Sequence, residues 1–234
     1  MKRTCLRAGA SPELAEDIAT KVENEAYDGI PTQKVLELTL KLLKEDPGTA
    51  MRYNLKKAIM DLGPTGFPFE KFVSGLLQEY GYDTKVGTVM DGKCVPQEVD
   101  ITANNEDSIS LIECKFHNAP GIYTGLKVMM YTHARFLDLK DEFDRAWLVS
   151  NTKISSDAKE YARCMGIKVT SWDYPRGESL KELIEKKNFY PITTLKSVDY
   201  STGKRLLKSN ILSSKDIINR VLKEIKNKTK LSQS

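Results

Sequence analysis

The spacing of apolar residues changes period several times along the chain. Over the first sixty or so residues they recur every three or four positions, the mark of helices with one buried face. Ser11-Pro12 reads as an N-cap with proline at the first helical position, opening a helix toward Tyr27-Asp28-Gly29. Thr32 is expected to cap a second helix, Lys34 to Glu45, with Val35, Leu36, Leu38, Leu42 and Leu43 on it. A third, from Thr49 to Leu62, carries Met51, Leu55, Ala58, Ile59 and Leu62 and stops at Gly63-Pro64. A further stripe of Phe69, Phe72, Val73, Leu76, Leu77 and Tyr80, closed by Gly81, predicts another amphipathic helix.

From Tyr82 the period falls to two. Tyr82 to Val89, Gln97 to Ala103 and Ser108 to Phe116 read as strands, separated by turn residues at Met90-Asp91-Gly92-Lys93 and Asn104-Asn105. Beyond Pro120-Gly121 helical spacing returns up to Lys140, through Leu126, Met129, Met130, His133 and Phe136. Arg145 to Val149 is a short strand, Ser156 to Cys164 a helix and Ile167 to Thr170 a strand. Three more helices are predicted, at Ser179 to Glu185, Gly203 to Leu207 and Lys215 to Ile225. This order predicts an α/β protein with a mixed sheet flanked by helices. A helical unit over 1–63 precedes it, the core spans 66–174, and a basic helical segment occupies 176–234.

Length and composition allow a substantial core, since 40% of the 234 residues are hydrophobic. The basic N-terminus has no apolar stretch of the kind a signal peptide needs, and no run has the length of a membrane span, so a cytoplasmic protein is expected. Cys5, Cys94, Cys114 and Cys164 show no C-x-x-C spacing, which argues against zinc, and Cys114 reads as a small buried hydrophobe. Charge is informative only by region. Residues 176–234 hold 14 Lys and Arg against 6 Asp and Glu, a net of +8, which leaves 1–175 at −4. Lys204, Arg205, Lys208, Lys215 and Arg220, with Lys223 and Lys226, suit sequence-independent contact with DNA phosphates; the plainer alternative is a solvated helical face.

The candidate chemistry lies at the ends of two strands. Asp100 stands in Val99-Asp100-Ile101, and Glu113 and Lys115 stand in Leu111-Ile112-Glu113-Cys114-Lys115-Phe116. Alternation puts Glu113 and Lys115 on one face, with Ile112, Cys114 and Phe116 on the other, which is core. Two carboxylates about 4 Å apart repel by roughly 4 kcal/mol at an effective dielectric near 20, a cost that a divalent cation reverses. All-oxygen ligation favours magnesium, with manganese able to substitute. Asp100 and Glu113 are the expected metal ligands, and Lys115 the group that orients water or offsets charge growing on phosphorus.

Asp100 with Glu113-Cys114-Lys115 resembles the signature of the PD-(D/E)xK nuclease superfamily, and the order of elements around it resembles the Mrr-type restriction endonuclease branch. The resemblance implies a restriction-endonuclease-like core and a magnesium-dependent DNA endonuclease. It also implies an acidic residue on the opening helix that points at the metal, which here is Glu70. Glu98 shares a strand face with Asp100 and is a candidate cleft residue. His117, just past Lys115, reads as a hydrogen-bonded strand-end histidine outside the catalytic set.

Leu6-Arg7-Ala8-Gly9-Ala10-Ser11, Tyr27-Asp28-Gly29-Ile30-Pro31-Thr32 and Arg52-Tyr53-Asn54-Leu55 together resemble the ATP-cone, a regulatory nucleotide-binding module. That resemblance implies ATP or dATP as an effector, with Thr32 contacting it. The chain departs from the module's pattern in two places. Only Met1-Lys2-Arg3 stand where a basic β-hairpin is expected, and Leu36 replaces a polar contact. Two functions therefore stand side by side: a DNA endonuclease tuned by nucleotide, and a non-catalytic nucleotide-sensing regulator that binds nucleic acid on a degenerate nuclease fold. A single-site nuclease that cuts both strands implies a homodimer.

Overall fold

The structure, a computed structural model, describes residues 1–195 and 197–229, with residues 200 and 222–229 described by backbone alone. Four helices come first: α1 (Lys2–Arg7), α2 (Pro12–Glu25), α3 (Thr32–Leu42) and α4 (Pro47–Met60). The short α1 is additional to the three helices that periodicity predicts, because six residues are too few to show a period. Ser11 caps α2 by accepting from the Leu14 amide, as the sequence implies. Thr32, by contrast, does not cap α3. Pro31 holds the cap position, and Thr32 is the exposed first helical residue. The cap of α4 is Asp46, whose carboxylate accepts from the Thr49 amide at 3.0 Å.

Cys5, Ile18, Val22 and Leu43 pack α1, α2 and α3 around a small apolar cluster. Arg52 of α4 ties this unit together by donating from Nε to the Ala8 carbonyl at 2.5 Å. The guanidinium lies so close over Gly9 that a Cβ there would meet Arg52 Nη2 at 2.6 Å, and φ at Gly9 is +97°.

The sheet follows α5 (Phe67–Gln78). Its strands are β1 (Asp83–Asp91), β2 (Pro96–Asn105), β3 (Ser108–Lys115), β5 (Arg145–Ser150) and β7 (Lys168–Thr170), and their order in space is β1-β2-β3-β5-β7. β1, β2 and β3 are antiparallel neighbours, whereas β5 and β7 run parallel to β3. Parallel strands need crossovers. These are supplied by α6 (Leu126–Asp138) and α7 (Ser156–Met165), beside a two-residue ladder of β4 (Tyr123–Thr124) with β6 (Lys153–Ile154). After β7 come α8 (Leu180–Lys187), a single 3-10 turn at Ile192–Thr194, α9 (Tyr200–Lys208) and α10 (Ser214–Thr229).

One face of the sheet packs on α5. Phe69, Phe72 and Leu76 meet Ile101, Ile112, Trp147 and Val149, and α8 closes the far side with Leu180 and Ile184. Leu55 and Ile59 of α4, with Leu62, join the same cluster, so the core is continuous across residue 63. Each such side chain contributes about 1.5–3 kcal/mol when fully buried. The other face packs Ala146, Leu148 and Val169 against Met129 of α6 and Ala158 of α7. Central β5 is buried from Ala146 to Ser150, as expected of a strand covered on both sides. Met130, which periodicity placed on the buried stripe of α6, is 50% exposed, and Thr132 is buried instead. Among the described residues no helix is long and apolar enough to cross a membrane.

Candidate active site

The β2–β3 ladder runs from Asn105↔Ser108 to Ile101↔Ile112 and stops there. The next inward amide, that of Cys114, donates to Asp100 Oδ2 at 2.7 Å instead of to a backbone carbonyl. A carboxylate has thus been substituted into the ladder. The strands part beyond that point, and the β1–β2 hairpin also rolls over. Val86 and Ile101 pack toward α5, whereas Met90 and Val99 join Leu111, Leu139 and Phe143 in the opposite layer. In a regular strand residues two apart share a face, so the roll falls between them, at Asp100 and at Gly87, whose φ is +65°. The notch opened there is where the charged groups collect.

Asp100 and Glu113 stand on neighbouring strands at this notch, and burial pushes both carboxyl groups up. Glu113 is pushed up to about 7, first by burial and then by Asp100, with Arg135 and Lys115 acting the other way. Glu70, which α5 brings in from its first turn, is also pushed up to about 7 by burial, then by Asp100, Glu98 and Glu113. Cys114 is 8% exposed, and its thiol is pushed well up by burial and by the same three acids, Asp100, Glu70 and Glu113. It is a wall of the site and not a nucleophile.

Two cations answer these acids. Lys115 comes from β3 itself, two residues past Glu113, and acts on both Asp100 and Glu113. Arg135 comes from α6 and pairs through Nη1 with Glu113 Oε2, both side chains being almost wholly buried. Tyr131, one helical turn earlier, accepts from Arg135 Nη2 at 2.6 Å, and its ring lies 4.7 Å from the guanidinium. Arg135 Nε is buried with no hydrogen-bond partner among the described residues. Sequence reasoning passed over Arg135, because the stripe of α6 was read for its apolar members. The only available signal was an arginine one turn from a tyrosine on that helix.

Beyond Lys115 the strand end is locked by polar side chains. The His117 amide donates to Asn151 Oδ1 at 2.8 Å, and Asn151 Nδ2 donates back to the His117 carbonyl at 2.9 Å. The His117 ring bonds Thr124 Oγ1 at 3.0 Å, and Thr124 in turn bonds Ser150 Oγ at 2.8 Å. Burial, then Lys115 and Lys56, hold the His117 ring below the usual imidazole range. Lys56 reaches this edge from α4 and donates to the Asn151 carbonyl at 2.5 Å.

Among the described residues no three His, Cys, Asp or Glu side chains come together as a cage for a metal ion. The donors present are all carboxylate oxygens. Two of them, Glu70 and Glu113, are pushed to about 7 by burial first and then by the charge of Asp100, an environment that a divalent cation would relieve. Such a set fits magnesium, which takes one or two carboxylates and completes its shell with water and phosphate oxygens.

The other predicted site residues are dispersed. Thr32 lies at the start of α3 in the N-terminal unit, exposed. Lys215 is paired with Glu79 at 2.5 Å, Arg220 donates to the Ser209 carbonyl at 3.0 Å, and Arg205 donates to Thr202 Oγ1 at 3.2 Å. Lys204 and Lys208 line a groove beside the start of α5. The side chains of Lys223 and Lys226 lie outside the described residues.

With the sheet order, the interrupted ladder and the acid cluster in place, comparison with known proteins defines the class. Residues 64–183 match the family model Mrr_cat, described as restriction endonuclease, and the chain belongs to that family. A protein of Archaeoglobus fulgidus described as uncharacterized is 45% identical over 144 residues, spanning 61% of this chain and 82% of its own length. The crystal structure of a protein of unknown function, AF1548, superposes with a TM-score of 0.60 at 42% identity, covering 66% of this chain and 84% of that one. The modification-dependent restriction endonuclease AspBHI superposes with a TM-score of 0.42 at 11% identity, covering 68% of this chain and 39% of that one.

Proposed function

We propose that the chain is a magnesium-dependent DNA endonuclease. The observation that carries this reading is that Asp100 accepts from the Cys114 amide at the point where the β2–β3 ladder gives way, with its charge acting on both Glu113 and Glu70 and with Lys115 on the same strand as Glu113, inside a restriction endonuclease family match. Asp100 and Glu113 would hold the ion, with Glu70 as the auxiliary acid. Bound there, magnesium, or manganese in its place, would polarise the phosphodiester and lower the pKa of a water molecule. Lys115 places its ammonium against the non-bridging phosphate oxygens, where negative charge grows as water attacks phosphorus and the bridging P–O bond breaks. Asp100, through its bond from the Cys114 amide, fixes the spacing between β2 and β3 and so between the ligands. Two such sites, brought together in a homodimer, would cut both strands.

The test is cleavage of plasmid, linear and branched DNA by the full chain with magnesium or manganese, beside Asp100→Asn and Lys115→Gln. Asn keeps an acceptor for the Cys114 amide, so both variants should fold and neither should cut. Wild-type protein that leaves every DNA form intact in both metals overturns the reading. One observation favours a non-catalytic, nucleic-acid-binding regulator instead, namely that Arg135 already neutralises Glu113. Under that reading DNA is bound and never cut. The N-terminal helices are assigned an effector role toward ATP or dATP, through Thr32, on the strength of their motif pattern. Lys56 gives them a physical route to the catalytic edge.

A further inference from the structure

Where the chain passes from α4 into α5 it leaves a groove of about 470 Å³, closed on its far side by α9. Its floor is apolar, with Pro64, Phe67, Pro68 and Leu207. Phe67 is 49% exposed, an unusual state for a phenylalanine beside a well-filled core. Three ammonium groups line it: Lys71, which stands over one face of the Phe67 ring at 4.6 Å from its centre and leaves a base the other, and Lys204 and Lys208 from α9.

The groove adjoins the catalytic notch. Asn118, three residues past Lys115, donates to the Pro64 carbonyl at 2.9 Å. A Cβ on Gly63 would meet the Phe116 ring at 2.9 Å, so the lip of the groove lies directly against the end of β3. Phe67 and Glu70 share the first turn of α5, and Glu70 folds back over its start, where a Cβ on Gly66 would meet Glu70 Oε1 at 3.2 Å.

An exposed aromatic ring among lysines, next to a phosphodiester-cleaving centre, has the chemistry of a single-strand platform. Every base has an apolar face that stacks on such a ring, and the phosphates on either side satisfy the cations. A base stacked within a duplex offers no such face, so the nucleotide taken must be unpaired. We propose that this groove binds an unpaired DNA nucleotide next to the scissile phosphate, so that the enzyme acts on DNA with a flap, bulge or single-stranded end. The assignment rests on the nuclease reading for its biological meaning but not for its test.

Binding of a fluorescent short oligothymidylate to the full chain is measured in EDTA, beside a fully paired duplex, for wild type, Phe67→Ala and Phe67→Trp. Wild type should bind the oligothymidylate in a salt-dependent way. Phe67→Ala should weaken that binding about tenfold, the loss of one base-aromatic stack, while Phe67→Trp retains it. Equal binding by wild type and Phe67→Ala overturns the proposal, as does an equal loss on oligothymidylate and duplex, which would mark a structural role. The same proteins are then tested for cleavage with magnesium. A chain that cuts nothing yet shows the Phe67 dependence refutes the nuclease and leaves the groove standing. One that cuts paired and flapped DNA alike, and whose Phe67→Ala variant binds as wild type does, refutes the groove alone.

Discussion

Arg135 holds Glu113 in an ion pair that almost no solvent reaches, while the guanidinium's own Nε has no hydrogen-bond partner among the described residues. The pair spans two elements, α6 and β3, so it fixes the helix over the strand as well as balancing charge. Removing one partner of such a pair leaves the other buried and uncompensated, a loss of about 3–5 kcal/mol. Arg135→Met should therefore unfold at lower urea concentration than wild type at pH 8. The difference should shrink near pH 5, where the abandoned Glu113 takes up a proton. An equal difference at both pH values would show that packing, not charge, is what Arg135 supplies.

Glu70 sets a second pH dependence. Its folded pKa, near 7, lies above the unfolded value of about 4.3, so the folded state binds the proton more tightly. The stability this brings is complete below about pH 4.3 and is lost as pH rises through 7. The difference in urea midpoint between wild type and Glu70→Gln, both in EDTA, should accordingly fall over that window and level off above it. Parallel curves would contradict the assignment. Magnesium should raise the wild-type melting temperature at pH 8 and hardly at pH 5.

Lys56 behaves in the opposite sense. Burial holds its ammonium down to about 8, with Asp173 opposing and Lys153 adding to the effect. A base with a folded pKa below its unfolded value of about 10.4 costs stability in full below pH 8, and the cost is relieved between about 8 and 10.4. Wild type should gain on Lys56→Met across that range in chemical denaturation. A constant gap would mean that the ammonium is not desolvated.

The proposed binding of nucleotide to the N-terminal helices has a direct readout in melting temperature. A ligand at 100 times its dissociation constant adds about 2.7 kcal/mol to the fold it binds. ATP or dATP should raise the transition, and Thr32→Ala should abolish the rise. No shift with either nucleotide would leave α1–α4 as scaffolding.

The motif strands and α5 were legible because their periods are local. Phe69, Phe72, Leu76 and Leu77 recur on one helical face, and Ile112 and Cys114 alternate with Glu113 and Lys115. What escaped was non-local. Arg135 lies 22 residues from Glu113 and on another element, and Lys56 lies 95 residues from Asn151. The roll of the hairpin escaped for a different reason: Gly87 sits in a run that alternates cleanly, and nothing in that run reveals its positive φ. Thr32 was mistaken for a cap because its hydroxyl suits that role, while Pro31, with its fixed φ, already ends the preceding loop.

Leu55, Ile59 and Leu62 are as much a part of the sheet's interior as Phe72. A truncation beginning at α5 would strip that lining and lay an oily surface open to water. Helix α4 and the sheet therefore share one interior, and whatever tightens the first also stiffens the strands that carry Asp100 and Glu113.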